Sequence, residues 1–401
     1  MWVTFAPCLY IFTEYYFGKV NDWTVNGIHA LSSVYMVLYP LAVHFAFPVF
    51  ESRGGLRRGI LLGATLNTLA GVVRWFGAVP SLSGYIVLVM GQTLAALGQV
   101  FMLAVPPQLA VVWFPDNEIN LATALAVNAN NIGIAIGCLW SPWAIHATTM
   151  LQDIPHLLYR QALMTVLVWL LVWAAFRRSP PARLHVVNAT TLTPSQPYHY
   201  GLLFQSRNFM WMMVAYGVMF GAQCSIITLI DQLLLGPFAK EVTEDQVGKL
   251  SCAMLMAGLP GSILVARFLD QTKRYRPACL FLATLTSLSL LGLHLSIEYH
   301  CFTGVALSCV VFGLASYAIA PAIFQYAGEL FYPIQEVVPT GYLFLVGNIV
   351  GASMVTLMGM SSNPAATFPM RLPLLHLILL MVIANVAMAM VRGPLLRSQA
   401  A

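Results

Sequence analysis

Long apolar stretches alternate with short polar segments along the whole chain. A helix that crosses the hydrocarbon core of a bilayer needs about 20 consecutive apolar residues. Stretches of this kind predict about twelve membrane-spanning helices. The predicted spans are 1–18, 28–50, 59–79, 84–112, 119–146, 155–176, 208–234, 248–269, 277–297, 302–330, 338–360 and 372–391. The first begins at Met1 without a polar flank, and we interpret it as the end of a longer helix, with an unusual N-terminus as the alternative.

The longest polar stretch, from Arg177 to Gly201, leaves six predicted spans on each side. We therefore predict two six-helix halves joined by a linker. The predicted segments are an N-terminal half over 1–176, a linker over 177–207, a C-terminal half over 208–391 and a tail over 392–401.

Most basic residues of the loops fall on one side of the membrane if the chain has twelve spans, and the other side has only scattered charges such as Lys19, Lys240 and Arg371. The residues of the basic side are Arg53, Arg57, Arg58, Arg177, Arg178, Arg183, Arg207, Arg267, Lys273, Arg274, Arg276, Arg392 and Arg397. Cytoplasmic loops carry an excess of lysine and arginine, so the linker and the C-terminus are predicted to be cytoplasmic. We expect the plasma membrane, with an organellar membrane as the alternative.

The composition also favours a membrane protein. Charged residues make up 8% of the 401 residues and hydrophobic residues 59%, and the mean hydropathy is +0.78. A soluble domain carries roughly 25% charged residues. The basic loops account for the net charge of +5, so no nucleic-acid partner is expected.

The sequence has no pattern typical of a metal site, a cofactor site or an enzyme. Its seven cysteines lie mostly singly in apolar segments, with no CxxC pair and no histidine cluster. HExxH and GxSxG motifs are absent. We therefore expect no metal, no cofactor and no enzymatic activity.

An internal repeat links the two predicted halves. The segment 114–118 reads FPDNE before span 5, and 332–336 reads YPIQE before span 11. Twelve residues beyond each glutamate stands an asparagine, Asn130 or Asn348, followed closely by glycine. Spans 5 and 11 correspond to each other if the two halves form a parallel repeat.

These asparagines are candidate solute ligands. Twelve helical residues cover about 18 Å, which places Asn130, Asn131 and Asn348 near the middle of the bilayer. An amide carries donors and acceptors for a neutral or a cationic solute, although hydrogen bonding between helices is the alternative role. The small pair Gly347 and Gly351 is predicted to serve close helix packing.

Aromatic and charged residues within the spans extend this picture. Trp2 and Tyr35 fall at mid-span, where an aromatic wall can hold an organic cation. Asp231 and Glu329 lie toward helix ends, which favours facilitative transport over proton coupling. Arg74, near the end of span 3, is expected to extend its charge to the membrane interface.

Several segments resemble the feline leukemia virus subgroup C receptor family, in collinear order over nearly the whole chain. They are ALSSVYMVLY (30–39), ESRGGLR (51–57), LN with a glycine four residues on (66–71), GQ (91–92), GQVF (98–101), VWF (112–114), NNIG (130–133), LDQTKRY (269–275) and ELFYP (329–333). This resemblance implies the major facilitator fold. It also implies transport of choline and ethanolamine, of heme or, in a more distant branch, of vitamin-like solutes.

The resemblance implies particular site residues. With the asparagines above, the expected substrate-binding residues are Trp2, Tyr35, Met36, Asn130, Asn131, Gln223, Cys224 and Asn348. The expected gating residues of the cytoplasmic loops are Glu51, Arg53, Arg57 and Asp270.

Departures from the family bear on the substrate. Two family glutamines correspond to the shorter Asn131 and Asn348, which implies a wider pocket. The family's span 7 tyrosine corresponds to Cys224, so about half of the implied aromatic cage, worth about 1–2 kcal/mol, is lost. The loop over 51–57 carries one extra residue.

We therefore expect a monomeric transporter in the lipid bilayer that moves a small organic solute by alternating access. A choline- or ethanolamine-like substrate is favoured, bound at a central site between the halves. Heme or a vitamin-like solute is the first alternative, with candidate heme ligands at His29, His44, His146 and His376. A non-transporting membrane receptor or scaffold is the second.

Overall fold

The structure is a computed structural model that describes residues 4–52, 54–177, 201–234, 237–238, 242, 244–362, 366 and 368–400. The regular structure in these ranges is helical. The α-helices are α1 Leu9–Phe17, α2 Asp22–Glu51, α3 Gly55–Phe76, α4 Leu82–Leu103, α5 Pro106–Trp113, α6 Ile119–Ala144, α7 Met150–Ala175, α8 Gly201–Gln205, α9 Arg207–Leu234, α10 Glu244–Thr272, α11 Tyr275–Glu298, α12 Phe302–Leu330, α13 Val337–Met360, α14 Arg371–Met390 and α15 Leu396–Ala400. Among the described residues, eleven of these helices are long and apolar enough to cross a membrane. The predicted all-α membrane fold is confirmed.

The first predicted span, 1–18, differs from the other eleven. Its described part is a 3-10 turn, Ala6–Cys8, followed by the nine-residue helix α1. α1 ends where Gly18 adopts a left-handed conformation with φ of 64°, a helix C-cap that favours glycine. α1 alone is therefore shorter than a bilayer crossing.

Two helix boundaries have clear local causes. α2 begins at Asp22, six residues before the predicted start, because Asn21 and Thr24 form a reciprocal capping box. The predicted span 84–112 is divided into α4 and α5. Pro106 and Pro107 lack an N–H for the preceding helix, but they are well suited to the first turn of a new one.

The spanning helices carry apolar stripes on their outer faces. On α2, Val37, Leu41 and Phe45 follow one another every four residues and are 61%, 64% and 77% exposed. Soluble proteins rarely expose such contiguous apolar surface. Lipid contact accounts for these stripes, since the bilayer requires no polar surface.

The chain forms two compact units. The first comprises Met1–Val105 and Asn130–Pro180, and the second comprises Pro106–Ala129 and Pro181–Ala401. Residues 106–129 therefore pack with the second unit, although the sequence division places them in the first half. The two halves predicted over 1–176 and 208–391 remain a prediction.

Each unit has its own helix packing. In the first, α3 packs on α4 and α7, and α2 packs on α4. Tyr15 and Tyr16 fix α1 there, donating hydrogen bonds to the backbone oxygens of Ala78 and Gly77 at 3.0 Å each. In the second, α9 packs on α13 and α14, while α12 packs on α10 and α11.

Candidate functional site

Tyr35, a predicted solute-binding residue, lies at mid-span of α2 and is held by amides of α4. Its backbone oxygen accepts a hydrogen bond from Gln99 Nε2 at 2.9 Å, and Gln92 Nε2 donates to Leu31 O at 3.1 Å. The Tyr35 hydroxyl and Gln92 Oε1 are buried and have no hydrogen-bond partner among the described residues. Buried polar atoms are almost always paired. These two atoms are therefore candidates for binding a polar group of a solute.

Three other predicted ligands of the first unit, Met36, Asn130 and Asn131, have accessible side chains. Met36 on α2 and Asn131 on α6 are half-buried, and Asn130 is exposed. A Cβ atom added at Gly133 would meet nothing within 4 Å, so this face of α6 borders open space. Polar residues at membrane depth usually face a water-filled cavity or the bundle interior. This placement is compatible with solute binding, which for these residues stays a prediction.

Arg74 is a buried cation that sequence reasoning placed wrongly. It does not extend to the interface, because its side chain packs inside the first unit and is 1% exposed. Its Nη2 donates to Gln161 Oε1 at 3.1 Å, and its guanidinium carbon lies 5.1 Å from the centre of the Phe5 ring. Nε and Nη1 have no hydrogen-bond partner among the described residues.

In the second unit, Asn348 lies where α13 approaches α9 closely. Its Nδ2 donates to Phe344 O, one turn earlier in α13, at 2.8 Å, and the residue is 9% exposed. A Cβ atom added at Gly347 would meet aromatic ring atoms of α9 at 3.0 Å, and one added at Gly351 would lie 3.5 Å from Cys224 Sγ. The two glycines therefore allow the close approach that brings Asn348 and Cys224 to one region.

Tyr317 is a candidate site residue that the sequence analysis did not identify. It is 4% exposed at mid-span of α12. Its side chain forms a hydrogen bond with the side chain of Gln223 on α9. An aromatic ring thus lies beside the predicted solute-binding residue Gln223, whose neighbour in the sequence is Cys224. A tyrosine in the middle of the predicted span 302–330 is the sequence signal that could have identified it.

The described gating residues are divided between the units, with Glu51 and Arg57 in the first and Asp270 in the second. Trp2, a predicted ligand, and Arg53, a predicted gating residue, are outside the described residues. Glu51 is the last residue of α2 and is half-buried. Arg57 Nε donates to Phe176 O at 2.7 Å, and Phe176 is the C-cap of α7. Because the last carbonyls of a helix lack partners within it, this contact ties the start of α3 to the end of α7.

Asp270, at the end of α10, caps the N-terminus of α6. Its Oδ1 accepts hydrogen bonds from Asn120 N at 2.9 Å and Asn120 Nδ2 at 2.8 Å, and its Oδ2 accepts from Leu121 N at 3.0 Å. Asn120 Nδ2 also donates to the Tyr275 hydroxyl at 3.1 Å. A carboxylate at this place satisfies free N–H groups and interacts favourably with the helix dipole. Asp270 therefore anchors the start of α6 within the second unit.

Comparison with known proteins identifies the family. The sequence matches the Major Facilitator Superfamily over residues 2–355. The chain belongs to this superfamily. The fold agrees with solved superfamily members: the proton:xylose symporter XylE bound to 6-bromo-6-deoxy-D-glucose has a TM-score of 0.77 at 11% identity, covering 100% of this chain and 94% of that one. The Escherichia coli fucose:proton symporter FucP (N162A) has a TM-score of 0.71 at 15% identity, covering 98% and 96%.

Curated relatives within the superfamily confirm the resemblance found in the sequence. The choline/ethanolamine transporter FLVCR1 of Mus musculus is 29% identical, covering 87% of this chain and 65% of that protein. The uncharacterized MFS-type transporter C09D4.1 of Caenorhabditis elegans is 28% identical, covering 92% and 62%. The choline/ethanolamine transporter flvcr2a of Danio rerio is 27% identical, covering 100% and 84%. The chain thus spans less than two thirds of the length of the first two.

Proposed function

We propose that this superfamily transporter moves choline, ethanolamine or a similar amine alcohol by alternating access. The observation that carries the proposal is a repeated arrangement in the two units: each buries a tyrosine beside amide side chains at mid-span. In the first unit Tyr35 is accompanied by Gln92 and Gln99. In the second unit Tyr317 is hydrogen-bonded to Gln223. Relatives named choline/ethanolamine transporters support the same solute class.

This chemistry suits an amine alcohol. The cationic head of choline is attracted to aromatic faces, and its hydroxyl needs a donor or acceptor such as an amide or a phenol. The proposed ligands are Trp2, Tyr35, Met36, Asn130, Asn131, Gln223, Cys224 and Asn348, to which we add Tyr317. Tyr317 would supply an aromatic ring in place of the one missing at position 224.

We propose that transport is facilitative. Glu329, one of the few acids within the spans, accepts hydrogen bonds from Arg397 and Ser398 on both carboxylate oxygens. A carboxylate engaged in this way is poorly suited to carry a proton through the cycle. Collapse of the proton gradient by a protonophore is therefore expected to leave uptake unchanged.

The proposed setting is the plasma membrane, with the protein as a monomer and its C-terminus in the cytoplasm. The placement of basic residues supports this orientation, because Arg57, Arg58, Arg274 and Arg392 lie at helix ends predicted to be cytoplasmic. Cysteine labelling at position 395 in intact and in permeabilised cells tests the orientation.

One observation favours a second candidate, a solute with a carboxylate such as heme. Arg74 is buried, and two of its guanidinium nitrogens have no hydrogen-bond partner among the described residues. An uncompensated cation inside a membrane protein is costly. A propionate group could supply the missing acceptor, whereas the same charge would oppose a cation bound near Tyr35.

Uptake measurements separate the two candidates. Radiolabelled choline, ethanolamine and heme are offered to liposomes that contain the protein or the Asn131→Ala/Asn348→Ala double variant. Saturable amine uptake that is lost in the double variant supports the proposal. Heme uptake without amine uptake overturns it in favour of the second candidate, and Arg74→Gln should then abolish heme uptake.

A further inference from the structure

The end of the chain binds a group of buried polar side chains on the second unit. Arg397, in the short helix α15, donates from Nε and Nη2 to Glu329 Oε1 at 3.1 and 2.7 Å, and from Nη1 to Glu336 Oε1 at 3.3 Å. The side chains of Arg397, Glu329 and Glu336 are 12%, 2% and 10% exposed. One arginine of the tail thus pairs with two acids, one at the end of α12 and one just before α13.

The neighbouring residue of the tail completes the binding of Glu329. Ser398 donates to Glu329 Oε2 from its backbone N at 3.0 Å and from its hydroxyl at 2.8 Å. Both oxygens of this buried carboxylate therefore have partners in α15. Removing one partner of a buried ion pair leaves a charge without compensation. If the tail dissociated, Glu329 and Glu336 would therefore lack their counter-charge.

The tail is also tied to the second unit upstream of α15. Asn208, at the start of α9, donates from Nδ2 to Arg392 O and accepts from Arg392 N at 3.1 Å. Only the backbone of Arg392 takes part in these two bonds. The segment 391–400 is therefore fixed near both of its ends.

Gln325 connects the tail to the segment 106–129. Its Oε1 accepts from Arg397 Nη2 at 3.0 Å, while its Nε2 donates to Thr123 Oγ1 at 2.6 Å and to Pro107 O at 3.4 Å. Because Arg397 is only a donor, it fixes which end of the Gln325 amide faces Thr123. A second amide pair, Gln108 Nε2 to Gln335 Oε1 at 3.1 Å, reinforces the same contact.

We propose that the segment 391–400 is a latch that stabilises the docking of residues 106–129 on α12 and α13. Residues 106–129 belong to the N-terminal half by sequence, yet they pack with the second unit. Alternating access in this superfamily requires the two halves to part on each side in turn. The latch therefore sets how readily 106–129 leaves α12. The inference rests on the alternating-access cycle of the proposed function and not on the identity of the solute.

A substrate-independent assay tests the latch. Ala110 in α5 is 1% exposed, and α5 packs on α12 and α13. Maleimide labelling of Ala110→Cys therefore reports undocking of 106–129. We expect Arg397→Ala to accelerate labelling at least fivefold and Arg397→Lys to have a smaller effect. Arg392→Ala is the matched control, since it removes a positive charge of the tail without an ion pair, and it should leave the rate unchanged.

Native cysteines report on folding in the same experiment. Cys301 is exposed and serves as the reference rate, while Cys279 and Cys309 are buried and should stay unlabelled. If Arg397→Ala makes the buried cysteines reactive, the variant is misfolded and Ser398→Asp replaces it in the labelling assay. The new carboxylate would repel Glu329, and the exposed position 398 tolerates a charged side chain. Equal rates of maleimide labelling of Ala110→Cys in the latch variants and in Arg392→Ala would overturn the proposal. Absence of solute uptake would bear only on the proposed function.

Discussion

Arg397 and Glu329 are joined across 68 residues of sequence by two hydrogen bonds to one carboxylate oxygen, at 2.7 Å from Nη2 and 3.1 Å from Nε. Both side chains are largely buried. A buried ion pair is weak evidence of net stabilisation, but breaking it by removing one partner is strongly unfavourable. This asymmetry makes the pair a sensitive point for mutagenesis.

Arg397→Ala is expected to lower the stability of the second unit by about 3–5 kcal/mol, because it leaves Glu329 and Glu336 buried without a counter-charge. Thermal unfolding of the purified protein in detergent measures the effect. Arg392→Ala should stay within about 0.5 kcal/mol of the unchanged protein, as expected for a surface substitution. Equal melting temperatures for both variants would show that the ion pair contributes nothing.

Glu336→Gln is expected to raise the stability of the second unit, whereas Arg397→Ala lowers it. The size of this increase should depend on pH. Burial raises the pKa of Glu336 despite the attraction of Arg397. A carboxyl group whose pKa is raised by folding stabilises the folded state while protonated, and this contribution is lost as pH rises through the raised pKa. The amide should therefore raise the melting temperature at a pH above the raised pKa of Glu336, where the carboxylate is charged.

The difference between Glu336→Gln and the unchanged protein should vanish as pH falls below the normal range of a glutamate. Arg397 keeps its charge throughout: burial lowers its pKa, but the attraction of Glu336, Glu329 and Tyr275 and the hydrogen bond with Glu329 together raise it. Melting curves between pH 4 and pH 8 measure this dependence. A melting temperature that Glu336→Gln lowers at pH 8 would contradict the expectation.

Asp270→Ala is expected to destabilise the start of α6 by about 1–2 kcal/mol, because it removes the acceptor for the N–H groups of Asn120 and Leu121. Asp270→Asn keeps one acceptor oxygen and should cost less. Hydrogen exchange of the amides of residues 120–123 is the measurement. Unchanged exchange in Asp270→Ala would show that the cap is not needed.

Much of the fold could be predicted from the sequence, because a bilayer imposes a simple length rule on apolar segments. The predicted span 302–330 has the same bounds as α12. Breaks between helices inside an apolar segment were harder to predict from hydropathy. Pro106 and Pro107 separate α4 from α5, although the apolar segment continues across them.

The site was only partly predictable, because its contacts join distant parts of the chain. Asp270 and Asn120 are 150 residues apart, and no local pattern pairs them. Arg74 looked like an interfacial arginine because of its position near a helix end. Its burial depends on Gln161 in α7 and on Phe5, just before the 3-10 turn Ala6–Cys8, and both are distant from Arg74 in the sequence.

The aromatic environment of positions 223 and 224 gives the sharpest test of the solute site. Tyr317→Leu removes the ring but keeps a similar apolar bulk, and it is expected to raise the KM for choline about tenfold, since a desolvated cation–π contact is worth about 1–2 kcal/mol. Tyr317→Phe keeps the ring and loses only the hydrogen bond with Gln223, so its KM should rise less. Initial rates of radiolabelled choline uptake give both values.

A compensating substitution separates a lost ring from a disturbed core. Cys224→Tyr restores an aromatic residue on α9, one residue from Gln223, so the Tyr317→Leu/Cys224→Tyr double variant should recover much of the affinity that Tyr317→Leu loses. Ethanolamine has a smaller, protonated head group, and its KM should follow the same order with smaller changes. If Tyr317→Leu impairs uptake of both amines equally and the second substitution restores nothing, Tyr317 serves helix packing and not the solute.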